Sequence, residues 1–414
     1  MVSGNADERN LFDVYPADFA GIPVLTDLTS SPRDQELLRI LRSDREKSLS
    51  PYAFRSDGSQ GRINAEESCT VRSEFERDIG RIIYSQAFRR LRHKTQVFFN
   101  PQNDHICSRI EHVIYVNYIA KTIARSLNLN LELVEAIALS HDIGHAPYGH
   151  SGEKALDECL KKVNPDLFFQ HELHGLRVVD LLLTRTTRQL QENIGLNLTF
   201  EVRDGIVSHC GETYNEFRVW PNRSKTKEDF DMKRDGHPMP ATLEGCVVRT
   251  ADKIAYVSRD IEDAARAGIM DFDDIPPAIV STLGSSNSHI IHTLVTDIIH
   301  HSLNQDAIII SNEIGQAMEA LLYENVRRIY QSEKIRKYEE RVKLTIEGLF
   351  DGFSAALTDP EKSTASGNPA FQSLISYAEN HPLKDRLDPQ IAADYISGMT
   401  DSFADKCYQD IYWV

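Results

Sequence analysis

From Ser73 onward, apolar residues recur every three or four positions, the spacing of amphipathic helices. The clearest case is Arg109 to Leu127. At about 100° per residue, Val113, Val116, Ile119, Ala120, Ile123, Ala124 and Leu127 fall on one arc, with Glu111, Tyr118, Lys121, Thr122 and Arg125 opposite. A second helix is predicted from Leu131 to His141, where Val134, Ile137, Ala138 and His141 share a face and Gly144 supplies the stop. A third runs from about Cys246 to Gly268, with Val247, Ala251, Ile254, Ala255 and Ser258 as a stripe of small and apolar residues. No hairpin signal follows Ser73, and no repeat or low-complexity tract is visible. The fold class expected is all-α.

Turn-formers divide the chain. Residues 1–70 hold Pro16, Pro23, Pro32, Pro51, Gly58 and Gly61 around one short amphipathic piece, Asp34 to Arg45, and read as a partly irregular N-terminal arm. Residues 71–275 form the expected helical core, with a loop between Gly211 and Pro240, and residues 276–414 a C-terminal helical region.

Some polar residues interrupt the apolar faces. Arg109 and His112 lie on the coreward arc of their helix, and burying such a pair without partners is costly. His141 also points coreward, with Asp142 directly after it and His145, His150 and Glu153 close behind. An imidazole and a carboxylate at one helix end suit a divalent ion. On the third helix Asp252, Tyr256, Arg259 and Asp263 form a second stripe, with Asp260 at its edge. A solvated face with ion pairs accounts equally well for Arg259 and Asp263.

Composition narrows the class. The 414 residues are 41% hydrophobic and 26% charged, as in a folded enzyme, and the net charge of −16 opposes a general nucleic-acid coat. Single-stranded nucleic acid stays open as a partner, though no motif indicates it. An anionic small substrate is compatible, because local clusters can oppose the global sign. No apolar run reaches the roughly 18–20 residues of a membrane span. The start, MVSGNADERN, lacks a secretory pattern, so a cytoplasmic protein without a membrane partner is expected. The six cysteines stand singly and read as incidental or buried thiols.

Taken together, His112, His141–Asp142 and Asp252 resemble the H…HD…D signature of the HD phosphohydrolase superfamily. Within it, the chain is most similar to the deoxynucleoside triphosphate triphosphohydrolases, the dGTPase-like enzymes. ERDIGRIIYSQAFRRLRHKTQVF (76–98), SRIEHV (108–113), HDIGHAPYGHSGE (141–153), FQHELHGLRV (169–178) and ADKIAYVSRDIEDA (251–264) carry the likeness in order, over roughly residues 55–270. The resemblance implies an HD-domain helical fold with an N-terminal arm and a C-terminal helical extension. It implies hydrolysis of a dNTP, with dGTP as the family-name guess, to deoxynucleoside and inorganic triphosphate.

By that resemblance His112, His141, Asp142 and Asp252 hold a divalent metal (Mn2+, Fe2+ or Mg2+), with a second Mg2+ entering on the substrate phosphates. His150 is the general acid, Glu153 its orienting carboxylate, and His145 and His171 contact the phosphates or a second ion. Arg109 and Lys253 clamp phosphate, Gln96 and Asp260 bind the 3′-hydroxyl, and Tyr256 packs against the deoxyribose. Partners implied are a dNTP, an activating nucleotide in some relatives, and further copies of the chain in tetramers or hexamers. After His171 the chain reads E-L-H where many bacterial relatives have an Asn and a Gln, so substrate contacts there do not carry over. The competing readings are an HD phosphodiesterase or phosphomonoesterase acting on nucleoside monophosphates or cyclic nucleotides, and a non-catalytic nucleotide or single-stranded nucleic-acid binder.

Overall fold

Helix starts in this chain are marked by side chains that cap exposed amides. Ser73 and Glu76 close a capping box, as do Ser108 and Glu111, and the Asn130 side chain accepts from the amides of Glu132 and Leu133. The computed structural model describes residues 32–97, 107–183, 195–211, 215–230, 238–383, 385 and 387–413. Seventeen α-helices occur among them. Before the site come α1 (Pro32–Lys47), α2 (Glu74–Ile83) and α3 (Gln86–Arg90). The middle of the chain holds α4 (Arg109–Ser126), α5 (Leu131–Ser140), α6 (Gly149–Val163), α7 (His171–Arg177), α8 (Phe200–Ser208) and α9 (Leu243–Arg266). Then follow α10 (Pro277–Leu283), α11 (Asn287–Ser302), α12 (Asn312–Asn325), α13 (Glu333–Thr358), α14 (Pro360–Ala365), α15 (Pro369–Glu379), α16 (Pro389–Ser397) and α17 (Asp401–Tyr412). The all-α expectation holds.

Two hydrophobic clusters organise these helices. The larger joins α2, α4, α5, α8 and α9 with α10–α12, and contains the whole expected apolar arc of α4. The smaller is built by α6, α13, α15, α16 and α17 around Leu156, Leu349, Phe353 and Ile396. The face opposite the α4 arc is wet, with Tyr118 68% exposed. No helix among the described residues is long and apolar enough to cross a membrane.

The structure departs from the sequence expectations in several places. A two-residue antiparallel ladder pairs β1 (Arg218–Val219) with β2 (Ile308–Ile309). Its strands are far apart in sequence, so no local pattern announces it. Helix α5 stops one residue early, at Ser140, and His141 is its C-cap. Residues 1–31 of the N-terminal arm lie outside the described residues, whereas the irregular stretch after α1 is firmly tied down. There Arg62 is buried, donating to Glu74 and to the Asn197 carbonyl at 2.7 and 2.6 Å. The Phe54 amide donates to Glu244 at 2.9 Å.

Candidate active site

Helices α4, α5 and α9 pack against one another in the larger cluster, and each delivers polar side chains to a common point. His112 comes from the first turn of α4, His141 and Asp142 from the end of α5, and Asp252 from the middle of α9. His112 Nε2 lies 2.9 Å from Asp252 Oδ1 and 3.9 Å from Asp142 Oδ2. His141 Nε2 lies 3.6 Å from Asp142 Oδ1 and 3.8 Å from Asp252 Oδ1.

With metal–ligand bonds of about 2.1 Å, donors at right angles are about 3.0 Å apart and opposed donors about 4.2 Å; three of these distances fall inside that window and the 2.9 Å contact lies just under it. The donor atoms of His112, His141 and Asp252 all lie within 4.8 Å of one another, as one ion requires, and Asp142 borders that trio. The Nδ1 atom of His141 is 2.7 Å from the Ala138 carbonyl, so it carries the ring proton and leaves Nε2 as a lone pair aimed at the carboxylates. That buried Nε2 has no hydrogen-bond partner among the described residues. A buried imidazole lone pair facing two carboxylates is repulsive until a cation stands between them.

Arg109, three residues before His112, is 1% exposed and donates through Nη1 to Asp142 Oδ2 at 2.8 Å. Its Nε and Nη2 find no acceptor among the described residues. A buried guanidinium with two donors to spare suits an incoming anion. Burial pushes the Asp142 carboxyl up, but Arg109, His145 and His141 outweigh it and hold it well below the usual carboxylate range.

A second group adjoins the first. His145 Nδ1 is 2.9 Å from Asp142 Oδ1, and its ring lies 3.6 Å from that of His171. His171 Nδ1 is 3.0 Å from Glu153 Oε1, and its backbone amide donates to the same oxygen at 2.8 Å. His150 Nδ1 is 3.2 Å from Glu153 Oε2, while the His150 side chain is 71% exposed. One carboxylate therefore serves two imidazoles, where the sequence suggests service to His150 alone. Burial and the Arg109 charge keep His145 well below the usual histidine range. Burial opposes protonation of His171, but Cys210 and Glu153 prevail and its affinity for a proton is well above normal.

The remaining substrate-binding candidates, Lys253 for phosphate and Tyr256, Asp260 and Gln96 for the sugar, come from α9 and from the segment after α3. Lys253, buried, and Tyr256, half-buried, follow Asp252 by one and four residues on α9. Asp260 is buried and accepts a hydrogen bond from the Tyr330 hydroxyl, and burial lifts its carboxyl to about 7. Gln96 presents a buried, unpartnered Oε1 among the described residues, and its backbone oxygen lies 2.9 Å from where a Cβ on Gly149 would stand. Gly149 has φ 61° and its missing Cβ would also lie 3.1 Å from Arg109 Nη2, so any side chain there would crowd the site.

The second cluster braces this loop. Lys94, buried, donates to the His145 carbonyl and to the Ser397 carbonyl at 2.7 Å. Asp401, at the start of α17, accepts from the amides of Tyr148 and Thr95 at 2.9 and 2.8 Å. The departure after His171 also has a structural role. His174 points away from the donors to the Ser397 hydroxyl at 2.6 Å and to Asp394 at 3.8 Å.

Sequence reasoning missed two residues. His209, the C-cap of α8, has its ring centre 4.9 Å from that of His141, and Cys210 Sγ is 3.0 Å from His209 Nε2 and 3.1 Å from His171 Nε2. Cys210 is thus not an incidental thiol, and the uniform reading of the cysteines is corrected for it. The signal was there: Leu139-Ser140-His141 and Val207-Ser208-His209 both end apolar helices in Ser-His, and His209 Nδ1 meets the Ile206 carbonyl at 2.7 Å as His141 does that of Ala138. The solvated-face reading of Arg259 and Asp263 is half right. Arg259 pairs with Glu262 and stacks on Tyr115, whereas Asp263 is 2% exposed. The arginine-rich stretch 72–94 lines a cavity of about 1160 Å3, with Arg72, Arg77, Arg81, Arg89 and Arg90 on its walls and none of the four donors.

Comparison with known proteins agrees with this geometry. The HD domain profile matches residues 109–257, and that of the phosphohydrolase-associated domain matches residues 308–410. A deoxyguanosinetriphosphate triphosphohydrolase-like protein of Caldanaerobacter subterraneus subsp. tengcongensis is 38% identical over 369 residues, covering 88% of this chain and 93% of its own. Similarly named proteins of Desulfatibacillum aliphaticivorans and Clostridium tetani are 37% and 35% identical, covering 88% of this chain and 95% and 93% of theirs. The chain belongs to the deoxyguanosinetriphosphate triphosphohydrolase-like family of HD-domain phosphohydrolases.

Proposed function

We propose that this protein hydrolyses a dNTP, with dGTP the first to try, to the deoxynucleoside and inorganic triphosphate. The observation that carries the reading is the convergence of His112, His141 and Asp252, with Asp142 3.9 and 3.6 Å from the two imidazoles, beside a buried arginine with two unused donors. His112, His141, Asp142 and Asp252 hold the divalent ion, Mn2+, Fe2+ or Mg2+. When bound, such an ion supplies Lewis acidity toward the α-phosphate and lowers the pKa of a water. Arg109 and Lys253 neutralise the phosphate chain and orient it, and His145, kept neutral, accepts or donates a hydrogen bond without adding charge.

Hydrolysis forms a bond from the water oxygen to the α-phosphorus and breaks the bond to O5′. The departing alkoxide needs a proton. His150 donates it from Nε2, since Nδ1 is held by Glu153. Its exposed position puts it at the rim, where the nucleoside leaves. Asp260 and Gln96 bind the 3′-hydroxyl and Tyr256 closes the side where a ribose would carry its 2′-hydroxyl. The seat is a homo-oligomer in the cytoplasm, and an activating nucleotide is a further part of the family expectation.

A product assay tests the reading. Metal-quantified protein is offered each dNTP singly and mixed, with Mn2+ or Mg2+. Deoxynucleoside with intact triphosphate supports it, and turnover only in mixtures adds an activating site. Monophosphate with pyrophosphate, or cleavage of nucleoside monophosphates or cyclic nucleotides alone, refutes it in favour of an HD phosphodiesterase or phosphomonoesterase.

A further inference from the structure

Behind the four-donor centre, three side chains that none of the steps above requires together meet at one point. His171 Nε2 and His209 Nε2 face each other at 3.3 Å, and Cys210 Sγ touches both. The tautomers follow from what stands behind each ring. His209 Nδ1 is 2.7 Å from the Ile206 carbonyl, which only accepts, so that nitrogen carries the proton. His171 Nδ1 lies 3.0 and 3.1 Å from the two oxygens of Glu153, and its proton sits there for the same reason. With both rings neutral, the two Nε2 atoms turn lone pairs toward each other. The single S–H of Cys210 can satisfy one of them, so an additional proton or a cation must satisfy the other.

We propose that His171, His209 and Cys210 form a second cation site, distinct from the four-donor centre, that takes a thiophilic divalent ion such as Zn2+. Tetrahedral zinc with Zn–N of about 2.05 Å places two nitrogens about 3.3 Å apart, which is the observed separation of the two rings. The thiolate, at 3.0 and 3.1 Å from the nitrogens, needs to draw back by about half an ångström to reach the roughly 3.6 Å implied by a Zn–S bond of about 2.3 Å. Glu153 behind His171 and the carbonyl behind His209 are the partners that fix and strengthen imidazole ligands. One imidazole–imidazole–thiolate set favours a softer ion than the two-imidazole, two-carboxylate set in front of it. On binding, the S–H bond is exchanged for S–Zn and the proton leaves to solvent.

Filling this site occupies the lone pair of His171 and adds positive charge beside His141, whose ring lies 4.9 Å from that of His209. The ion is therefore an inhibitor. That consequence rests on the proposed function, whereas the binding itself does not.

The test is a cobalt titration of stripped full-length protein, with Asp142→Ala and Cys210→Ser alongside. Wild type should bind two Co2+ per chain and show a near-ultraviolet thiolate-to-cobalt band. Asp142→Ala should keep the band and lose one ion, and Cys210→Ser should lose the band and keep the other ion. Zn2+ should bleach the band, and its inhibition of turnover should need over tenfold more zinc in Cys210→Ser. No thiolate band at saturating cobalt in wild type, or a band that survives in Cys210→Ser, overturns the site. If Cys210→Ser fails to fold by circular dichroism, His209→Gln replaces it and must weaken the band's cobalt affinity at least tenfold. A band without zinc inhibition overturns the inhibitory role alone.

Discussion

Glu244 ties the helices that carry the proposed metal donors, and its titration should be visible in the stability of the protein. It lies in the first turn of α9, two turns before Asp252, and its Oε1 accepts from the amide of Asn130 at 3.0 Å. Asn130 is the N-cap of α5, the helix that ends in His141. Burial lifts the Glu244 carboxyl from the usual 4.5 to about 7, against the pull of the Asn130 and Phe54 amides. A raised carboxyl means the folded state holds its proton more tightly, so stability is fully present below pH 4.5 and is lost as pH rises to about 7. The loss is about 3 kcal/mol, at about 1.4 kcal/mol per pKa unit. Unfolding entropy of about 2.1 cal/mol/K per residue over 414 residues converts this to about 4 °C in Tm. Glu244→Gln keeps an acceptor for both amides but cannot ionise. Scanning fluorimetry of metal-free wild type and Glu244→Gln from pH 4.5 to 8 should show the variant gaining about 4 °C on wild type across the range. A difference that stays constant with pH would refute the assignment of that proton to Glu244.

Three further outcomes follow from the site. Asp142→Ala removes a donor and the partner of the buried Arg109, so elemental analysis should find the four-donor ion gone and turnover with it; a full equivalent retained there would contradict the metal assignment. His150→Ala should keep that ion and the fold while turnover falls about 10²- to 10⁴-fold, the usual worth of a general acid; an unchanged rate would remove His150 from that role. Tyr330→Phe deletes the hydrogen bond that stabilises the charged form of Asp260, raising its carboxyl further above about 7. The KM for a dNTP should then rise at neutral pH and recover in more alkaline buffer, while a 3′-deoxy analogue shows no such dependence; equal pH profiles for both substrates would separate Asp260 from the 3′-hydroxyl.

The parts of this molecule legible in the sequence are those set by local periodicity. The α4 arc, the coreward turn of His112 and His141, and the span of α9 all follow from where apolar residues recur within one helix. The paired motifs suggested which of these helices meet, because only convergence makes sense of three unrelated helices each offering a ligand-type residue on or beside a buried face. What stayed hidden depends on distant chain segments. The β1–β2 pair joins residues about ninety positions apart. Lys94 reads as one more cation in a basic run, yet burial drops its amine far below the usual range and it donates to the carbonyls of His145 and of Ser397 at the end of α16. His209 was recoverable only by noticing that its helix ends as the one bearing His141 does.

The proposed metal donors and the proposed acid ride on different cores, and this shapes how the proposed site would be controlled. His112, His141, Asp142 and Asp252 stand on helices of the larger cluster, whereas His150 and Glu153 lie in the first turns of α6, whose apolar side belongs to the smaller one. A rigid-body shift between the clusters would change the distance from acid to metal donors without disturbing the geometry inside either. Among the described residues the polar ties that resist such a shift include Asp401 on the Thr95 amide, Lys94 on the His145 and Ser397 carbonyls, Arg177 on Asp394 at 2.7 Å, His174 with the Ser397 hydroxyl at 2.6 Å, and the His171 amide on Glu153 at 2.8 Å. All but the last involve α16 or α17. The C-terminal helices, which hold no proposed catalytic group, thereby help to set the distance over which the proposed acid would deliver its proton, and on the proposed mechanism a displacement of about 1 Å there would slow the chemistry about a hundredfold.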